Sequence, residues 1–498
     1  MSHPVVQRRS HMTVSTTPNG PSPSLLSPRR VWRAEWLLRA LLFCLYLGAY
    51  FPGYLSADPV WQFMQIRGVD PINNWHPPFI TLLWHGLDML LGSVGLVFLI
   101  QTLLLFHATA WFARGLGAGP WLRWGVQVGL LLFPPVVANF AIMWKDNWYV
   151  VFLLYASAGC LHFGRRGRTR DALIACAFGI LALLTRFNGF VATLPLLACL
   201  GIRVFRSREF GWRKTLGGTA LMLVGALLIT VFASSFLERV YVKKSYASWQ
   251  IPLLYDLTGI SVNARKLYLP GYIARGEGPD PAPSLEDLDA IYRTDTSDGL
   301  VWRADERFRM PVSNQVREVN QTPEQRRDIV TSWLAAIGAE PRAYLRHRNA
   351  LFKHHLGIGR AYVYAPYHQG IIPNVFDWKF ENRPLTHAVN RKLDAVAHSF
   401  LFRGWFYALV LVVLTAAWAW FSRTLEGLAL LGSAYGTLVS NYFLLGAADF
   451  RYMLWPVMAC VLLPFVIAAD VARRRAVESS SQPAIPSLSP ESLERHPS

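Results

Sequence analysis

Apolar runs of about 20 residues alternate with short polar connections along most of the chain. A helix needs roughly that length of apolar surface to cross the hydrocarbon core of a bilayer. The pattern therefore predicts an all-α polytopic membrane protein with about ten transmembrane helices. The predicted spans are Trp36–Leu55, Val94–Phe112, Trp121–Met143, Trp148–Phe163, Ala172–Leu184, Phe190–Phe205, Thr215–Phe236, Phe402–Phe421, Leu428–Leu445 and Leu454–Ala469.

The apolar stretch Pro78–Leu91 is too short for a span and is interrupted by His85 and Asp88. A run of about 14 residues is more typical of an interfacial or re-entrant segment. Pro77 and Pro78 suit the start of a helix, because proline is tolerated in its first turn. We therefore expect an interfacial helix on the outer face, directly after the first span.

Arginine and lysine are concentrated in some connections, and short cytoplasmic loops are the ones that carry such an excess. Four arginines precede or open the first span, so the N-terminus is expected in the cytoplasm. If Pro78–Leu91 stays on the outer surface, every arginine-rich short connection also falls on the cytoplasmic side. These connections are 165–170, 206–214 and 473–475.

The spans divide the chain into two membrane parts, an outer loop domain and two tails. In the outer loop, Thr322-Pro323-Glu324-Gln325 is typical of a capped helix start, and a second helix is expected after Pro341. In chain order the parts are a disordered cytoplasmic tail (1–33), an N-terminal membrane domain (34–237) with its first outer loop at 56–92, a mixed, partly helical outer loop domain (238–400), the C-terminal transmembrane helices (401–470) and a second disordered cytoplasmic tail (471–498).

The net charge of +18 would suit a nucleic-acid partner, but cytoplasmic loops explain the basic residues and no nucleic-acid motif accompanies them. Charged residues make up 16% of the chain, against about 25% in soluble domains. The five cysteines lie in apolar runs without a C-x-x-C pair, which argues against a disulfide framework or a zinc site.

The predicted topology brings scattered acids and bases to one rim of the membrane. Ionisable residues at a membrane are costly and are therefore functional candidates. Asp58 follows the first span and is either a general base or a helix-capping acid. Asp146 begins a later span, where an acid can also serve only to pair with the helix dipole. The full set expected at the outer rim is Asp58, His76, Lys145, Asp146, Arg186, Asn188, Asp449 and Arg451.

The basic residues of this set have alternative interpretations. Lys145 and Arg186 suit a phosphate group, but interfacial snorkelling also explains them. His76 either orients a carboxylate or is structural. Arg451 is expected to pair with Asp449. A divalent cation between Asp58 and Asp146 is a further alternative, although no dedicated oxygen-ligand loop is present. A second metal site at His354 and His355 has weak support, because adjacent histidines on a helix do not share a face.

Five sequence features follow one another along the chain: an aspartate after the first span, H-P-P before an outer helix, W-K-D at the head of a later span, R-x-N-G after another, and D-x-R-Y near the last. Their order resembles the GT-C superfamily of membrane glycosyltransferases, most closely the protein O-mannosyltransferase and aminoarabinose-transferase type. The resemblance covers residues 36–470. Pro59 follows Asp58, where mannosyltransferases of this type often carry a second acid.

The resemblance implies that the protein transfers a sugar from a polyprenyl-phosphate donor, with inversion, at the outer face of the bacterial cytoplasmic (inner) membrane. Asp58 would be the general base and Asp146 the second catalytic acid. The residues expected to bind substrate are His76, Lys145, Arg186, Asn188, Arg451 and His355. The acceptor remains open as a glycan, a lipid or a protein. Membrane lipids are the other expected partners.

Two other functions stay open at this point. A transporter or flippase would place ionisable residues near the middle of its spans and show matching repeats. The polar residues here sit at span ends instead. A non-catalytic membrane scaffold would tolerate the loss of Asp58.

Overall fold

A computed structural model describes residues 28–246, 248–276, 282–302, 321–359 and 365–481. In these ranges the protein is built from α-helices and short 3-10 helices, with isolated β-bridges and no strand. The outer loop domain, expected to be mixed, is therefore helical and irregular wherever it is described. The predicted disordered tails lie partly outside these ranges, at 1–27 and 482–498.

The helices of the first half are α1 (Pro28–Tyr50), α2 (Ala57–Ile66), α3 (Pro78–Leu91), α4 (Val94–Gly115), α5 (Pro120–Leu131), α6 (Pro134–Phe140), α7 (Lys145–Arg166), α8 (Thr169–Thr185), α9 (Phe190–Arg206) and α10 (Trp212–Tyr241). The predicted outer loop contains α11 (Ile251–Ala264), α12 (Gly271–Ala274), α13 (Leu285–Ile291), α14 (Asp298–Val301), α15 (Pro323–Ala339), α16 (Pro341–His355) and α17 (Pro384–Ala397). The chain continues with α18 (Gly404–Phe421), α19 (Leu425–Leu444) and α20 (Leu454–Ser481).

Four of the described helices are long and apolar enough to cross a membrane, which fits an integral membrane protein. They are α4, α10, α18 and the segment Phe450–Ser479, and the bent pair α5–α6 makes a possible fifth. The other predicted spans also form helices, but these are shorter or less apolar. The described residues thus form a helical protein with four to five candidate spans, and the count of ten spans stays a prediction.

Four predictions of span and tail limits were wrong, for reasons that involve proline or helix continuation. The span Trp121–Met143 is broken between α5 and α6 by 57°, because Pro134 and Pro135 cannot continue the hydrogen-bond ladder of α5. The first span ends at Tyr50, shortly before Pro52, instead of at Leu55. The last helix runs on to Ser481, so the start of the second tail is helical. Residues 28–33 of the first tail also belong to α1.

The predicted outer loop domain, 238–400, is divided between two hydrophobic cores. Its first part builds a separate core around α11, α15 and α16, with Leu254, Ile260 and Ile329 fully buried. Its last part, from 365, packs on the core of the membrane helices instead. In α17, the Thr386 hydroxyl donates to the carbonyl of Ala49 at 2.6 Å. The stretch from 365 thus packs with the membrane helices, and the domain boundary at 400 stays a prediction.

The helix starts predicted in the outer loop are confirmed. The Thr322 hydroxyl accepts from the backbone N–H of Gln325, and the Gln325 side chain accepts from the backbone N–H of Thr322. This reciprocal pair satisfies two N–H groups that the first turn of a helix leaves free. The next helix, α16, begins at Pro341 as expected.

A buried charged network holds the outer core against the end of α19. Asp256 lies 2.6 Å from Arg348 Nε and 3.2 Å from His347 Nε2, and it accepts from Trp333 Nε1 at 2.8 Å. Arg348 Nη1 donates to the carbonyl of Leu445 at 2.9 Å. Asp256, His347 and Arg348 are all fully buried. Through Arg348, the outer core is fixed to the segment that leads to the candidate site.

Asp256→Asn is expected to destabilise the protein, because it leaves the buried Arg348 guanidinium without a compensating charge. The loss of one partner of a buried pair typically costs about 3–5 kcal/mol. A clear drop in the melting temperature in detergent is therefore expected. Asp289→Asn is the matched control, since Asp289 pairs with Arg265 on the surface, where a pair contributes about 0–1 kcal/mol. Equal melting temperatures for the two variants would contradict this role of Asp256.

Candidate functional site

The loop between α1 and α2 is fixed from two sides, and this places Asp58. The backbone N–H of Tyr54 donates to the carbonyl of Ala141 at 2.8 Å, just after α6. The N–H of Leu55 donates to the carbonyl of Gly370 at 3.0 Å, in the outer loop. Asp58 then stands in the first turn of α2, where a carboxylate is favoured by the helix dipole.

Arg451 is the principal partner of Asp58. Its Nη1 lies 2.6 Å from Asp58 Oδ2, and its Nε lies 3.0 Å from Asp449 Oδ2. Its Nη2 donates to the hydroxyl of Tyr452 at 3.2 Å, and the guanidinium lies 5.0 Å from the ring centre of Trp144. The predicted Asp449–Arg451 pair therefore exists, and Arg451 extends it across the site to the first loop.

A second ion pair lies beside the first. Arg186 Nη1 pairs with Asp146 Oδ1, and Arg186 Nε donates to the Asn188 side chain at 3.2 Å. Asn188 in turn donates to the hydroxyl of Ser440 on α19 at 2.9 Å. The guanidiniums of Arg186 and Arg451 both lie near the Tyr452 ring, at 5.0 and 5.1 Å from its centre. The two acids that were predicted to be catalytic are thus held in one network.

A cavity of about 680 Å³ lies over this network, between the helix ends and the outer core. Three cations, Lys145, Arg186 and Arg451, line it together with Asp58 and His76. Aromatic and other apolar side chains complete its wall, and these are Trp75, Trp144, Phe187, Trp249, Ile251, Val301, Trp302, Tyr367, Leu444, Leu445 and Tyr452. The volume falls within the range of about 300–1,000 Å³ that is usual for small-molecule sites.

The ionisation of Asp58 is decided by its neighbours. Burial opposes the charged form, but the charges of Arg451 and Lys145 outweigh it and hold the Asp58 pKa well below its usual range. The Asp58 side chain is 27% exposed, and it lines the cavity. At Asp449, burial raises the pKa although Arg451 acts against the shift. Asp58 is therefore an anion at physiological pH and is accessible to a ligand.

His76 is a neutral side chain on the cavity wall. Burial, with the nearby charge of Lys145, lowers the His76 pKa to about 3. Its Nε2 lies 3.9 Å from Asp58 Oδ1, and this buried atom has no hydrogen-bond partner among the described residues. A buried polar atom without a partner is costly in a closed protein interior. His76 therefore has an unused hydrogen-bonding position next to Asp58.

Seven of the eight residues named as catalytic or substrate-binding line the cavity or pair directly with its wall. The exception is His355, which lies behind the wall, where its Nε2 is 3.1 Å from the Asn441 side chain. Burial and the charge of Arg186 lower the His355 pKa to about 3. Its position indicates a supporting role.

Several residues of the site were not predicted from the sequence. The Ser440 hydroxyl accepts from Asn188, the Tyr452 hydroxyl accepts from Arg451, and Trp249 and Trp302 form part of the wall. Tyr452 stood inside the D-x-R-Y motif, so a signal for it was present. Ser440, Trp249 and Trp302 belong to segments without a recognisable motif, and only the fold brings them to the cavity.

The residues present give little support for a metal ion. Among the described parts of the chain, no group of three or more His, Cys, Asp or Glu side chains is arranged to hold one. Asp58 and Asp146, the predicted ligands, are each paired with an arginine. A divalent cation would have to compete with both guanidiniums.

No protein-family model matches this chain, and neither a curated protein nor a solved structure matches it.

The two buried histidines make stability depend on pH. The unfolded chain takes up protons on His76 and His355 near pH 6.5, whereas the folded chain does so only near pH 3. The unfolded state thus binds more protons between these values, and stability falls as the pH falls through this window, by up to about 1.4 kcal/mol per pH unit for each histidine. The double variant His76→Gln/His355→Gln should show a shallower decline of melting temperature from pH 6.5 to 4.

His387→Gln is the control for this measurement, because His387 is exposed on α17. It should keep the wild-type slope. A double variant with an unchanged slope would show that the two buried rings do not titrate as expected.

Proposed function

We propose that the protein is a membrane glycosyltransferase that moves a sugar from a polyprenyl-phosphate donor to an acceptor. The observation that carries this proposal is the pairing, in one cavity at the helix ends, of an accessible carboxylate with three cations. The carboxylate of Asp58 suits an acceptor hydroxyl or amine. The cations suit the phosphate that leaves.

The reaction follows from these two roles. The acceptor oxygen or nitrogen attacks the anomeric carbon, and the bond from that carbon to the phosphate oxygen breaks. The bonding electrons leave with the polyprenyl phosphate. The proton of the acceptor passes to Asp58, and from there to water in the cavity. Attack opposite the leaving group inverts the anomeric configuration.

Lys145 is the cation best placed to receive the donor phosphate. In the described part of the chain it forms no ion pair, whereas Arg186 and Arg451 are both engaged by aspartates. A phosphate leaving group needs positive charge more than it needs a general acid. Asp146 acts in this scheme by holding Arg186 in place beside Lys145.

The apolar side of the cavity suits a lipid-linked donor. Phe187 and Leu444 line it at the ends of α8 and α19, and the Phe187 side chain is 62% exposed. At a membrane boundary, exposed apolar side chains of this kind can contact a prenyl chain. Trp249 and Trp302 also line the cavity and offer aromatic surface to an acceptor.

The proposed location is the bacterial cytoplasmic membrane, with the cavity on its outer side. The arginine-rich connections support this orientation, because the cavity lies at the other ends of the same helices. Arg166 ends α7, whereas Lys145 and Asp146 begin it. Likewise α8 begins at Thr169 and reaches Arg186 at its far end.

A transporter or flippase is the second candidate, and the break between α5 and α6 favours it. Broken helices often form substrate sites in transporters. Here, however, neither α5 nor α6 contributes a residue to the cavity that holds the charged side chains. Proteoliposomes that move a labelled polyprenyl-phosphate sugar across the bilayer without chemical change would favour this alternative.

The transferase proposal is tested with radiolabelled polyprenyl-phosphate sugars supplied to membranes that contain the full chain. Asp58→Asn should lower transfer by about 10²–10⁴-fold, the usual contribution of a positioned base. Asp146→Asn should lower it as well, because Arg186 loses its partner. Asp88→Asn is the control from the same loop, since Asp88 pairs with Arg67 and does not line the cavity. Equal transfer by wild type and Asp58→Asn would remove the catalytic assignment.

The orientation is tested by cysteine labelling in intact cells. Val69→Cys lies in the exposed loop after α2, and Arg168→Cys lies in the exposed connection between α7 and α8. In a background without the five native cysteines, a membrane-impermeant maleimide should label Val69→Cys and should reach Arg168→Cys only after the cells are opened. Labelling of both positions from outside would refute the proposed topology.

A further inference from the structure

Arg451 is held by more partners than Asp58 requires. Asp449 binds its Nε at 3.0 Å, and the Tyr452 hydroxyl accepts from its Nη2 at 3.2 Å. Trp144 lies against its face at 5.0 Å. These contacts fix the guanidinium without any contribution from Asp58. If the Asp58 side chain turned away, Nη1 would stay where it is and point into the cavity.

The two ion pairs of the site differ in how easily they can open. Asp146 is 2% exposed, so separation from Arg186 would leave a charge buried without compensation. Such a charge costs several kcal/mol. Asp58 is 27% exposed toward the cavity, so water can solvate its carboxylate once Arg451 is lost. The Asp58–Arg451 pair is therefore the exchangeable one.

The charges around the cavity are balanced before any ligand binds. Three aspartates line it, Asp58, Asp298 and Asp449, and so do three cations, Lys145, Arg186 and Arg451. Asp146 adds a further acid behind Arg186. A phosphate group would add negative charge to a site that has no excess of positive charge. It can be accommodated if one carboxylate gives up its cation.

We propose that Asp58 is a built-in competitor for the phosphate: the ligand displaces it from Arg451 and binds between Arg451 and Lys145. The displaced carboxylate is then free to accept a hydrogen bond from the acceptor. The choice of a lipid phosphate as the natural ligand rests on the proposed function. The exchange itself rests on the geometry of the two ion pairs.

This exchange links the two substrates. Without the donor, Asp58 is engaged by a guanidinium and its pKa is held down, so it is a weak base. Loss of Arg451 to the phosphate moves the Asp58 pKa back toward its ordinary value. The base thus becomes effective only when a leaving group is in place. In the empty cavity, Asp58 stays paired with Arg451 and therefore does not activate water.

The exchange is tested by direct binding to the purified full chain in neutral detergent, with farnesyl phosphate and inorganic phosphate as probes. Asp58→Asn should bind both probes about tenfold more tightly than wild type, because the competing charge is removed. Arg451→Gln should bind them at least tenfold more weakly. The double variant Asp58→Asn/Arg451→Gln should behave like Arg451→Gln. Asp88→Asn should keep wild-type affinity.

An affinity of Asp58→Asn that equals or falls below that of wild type would overturn the exchange. Asp58→Ser provides a second test with the same expected direction, so that a folding defect of one variant does not decide the result. Tightening for inorganic phosphate alone would assign the site to free phosphate and count against a lipid ligand. The exchange at Arg451 would then still stand.

The binding result separates this inference from the transferase proposal. Tighter phosphate binding by Asp58→Asn in a protein that transfers no sugar would support the exchange and refute the proposed function. Sugar transfer by wild type, with unchanged phosphate affinity in Asp58→Asn, would support the proposed function and refute the exchange.

Discussion

The guanidinium of Arg451 joins parts of the chain that are 393 residues apart. It binds Asp58 in the first loop and Asp449 before the last helix, and it stacks near Trp144 at the head of α7. Burial of such a charge is costly unless its partners are well placed. The positions of these three segments are therefore constrained together. Because Arg451 contacts all three segments, it fixes the inner surface of the cavity that they form.

Much of the coarse fold could be predicted from apolar periodicity. The short helix α3 begins at Pro78 and ends at Leu91, as its length and its prolines indicated. The capped start of α15 was also readable, because a capping box is local in sequence. The broken helix had a signal in Pro134-Pro135, but its high apolarity outweighed that signal in the prediction of a single span. The division of the outer loop between two cores had no local signal, since it depends on which surfaces meet.

For the site, too, the location of the residues could be predicted from the sequence, but the contacts between distant segments could not. The membrane orientation placed Asp58, Lys145, Asp146, Arg186 and Arg451 on one rim, and the cavity brings these residues together. Their pairing could not be predicted, because each aspartate had several cations within reach in the sequence argument. From the sequence, Arg451 was expected to pair with Asp449 alone, and its contact with Asp58 depends on how α2 packs. That contact matters for the proposed reaction, because the candidate base Asp58 already forms an ion pair with Arg451.

We propose that Lys145 and Arg451 bind the phosphate of a lipid and thereby release Asp58. The most direct test is an experimental structure of the full chain with farnesyl phosphate bound. We expect phosphate oxygens within hydrogen-bond distance of Lys145 and Arg451, the Asp449–Arg451 pair intact, and the Asp58 carboxylate turned into the cavity. A phosphate bound elsewhere, with Asp58 still joined to Arg451, would refute this proposal.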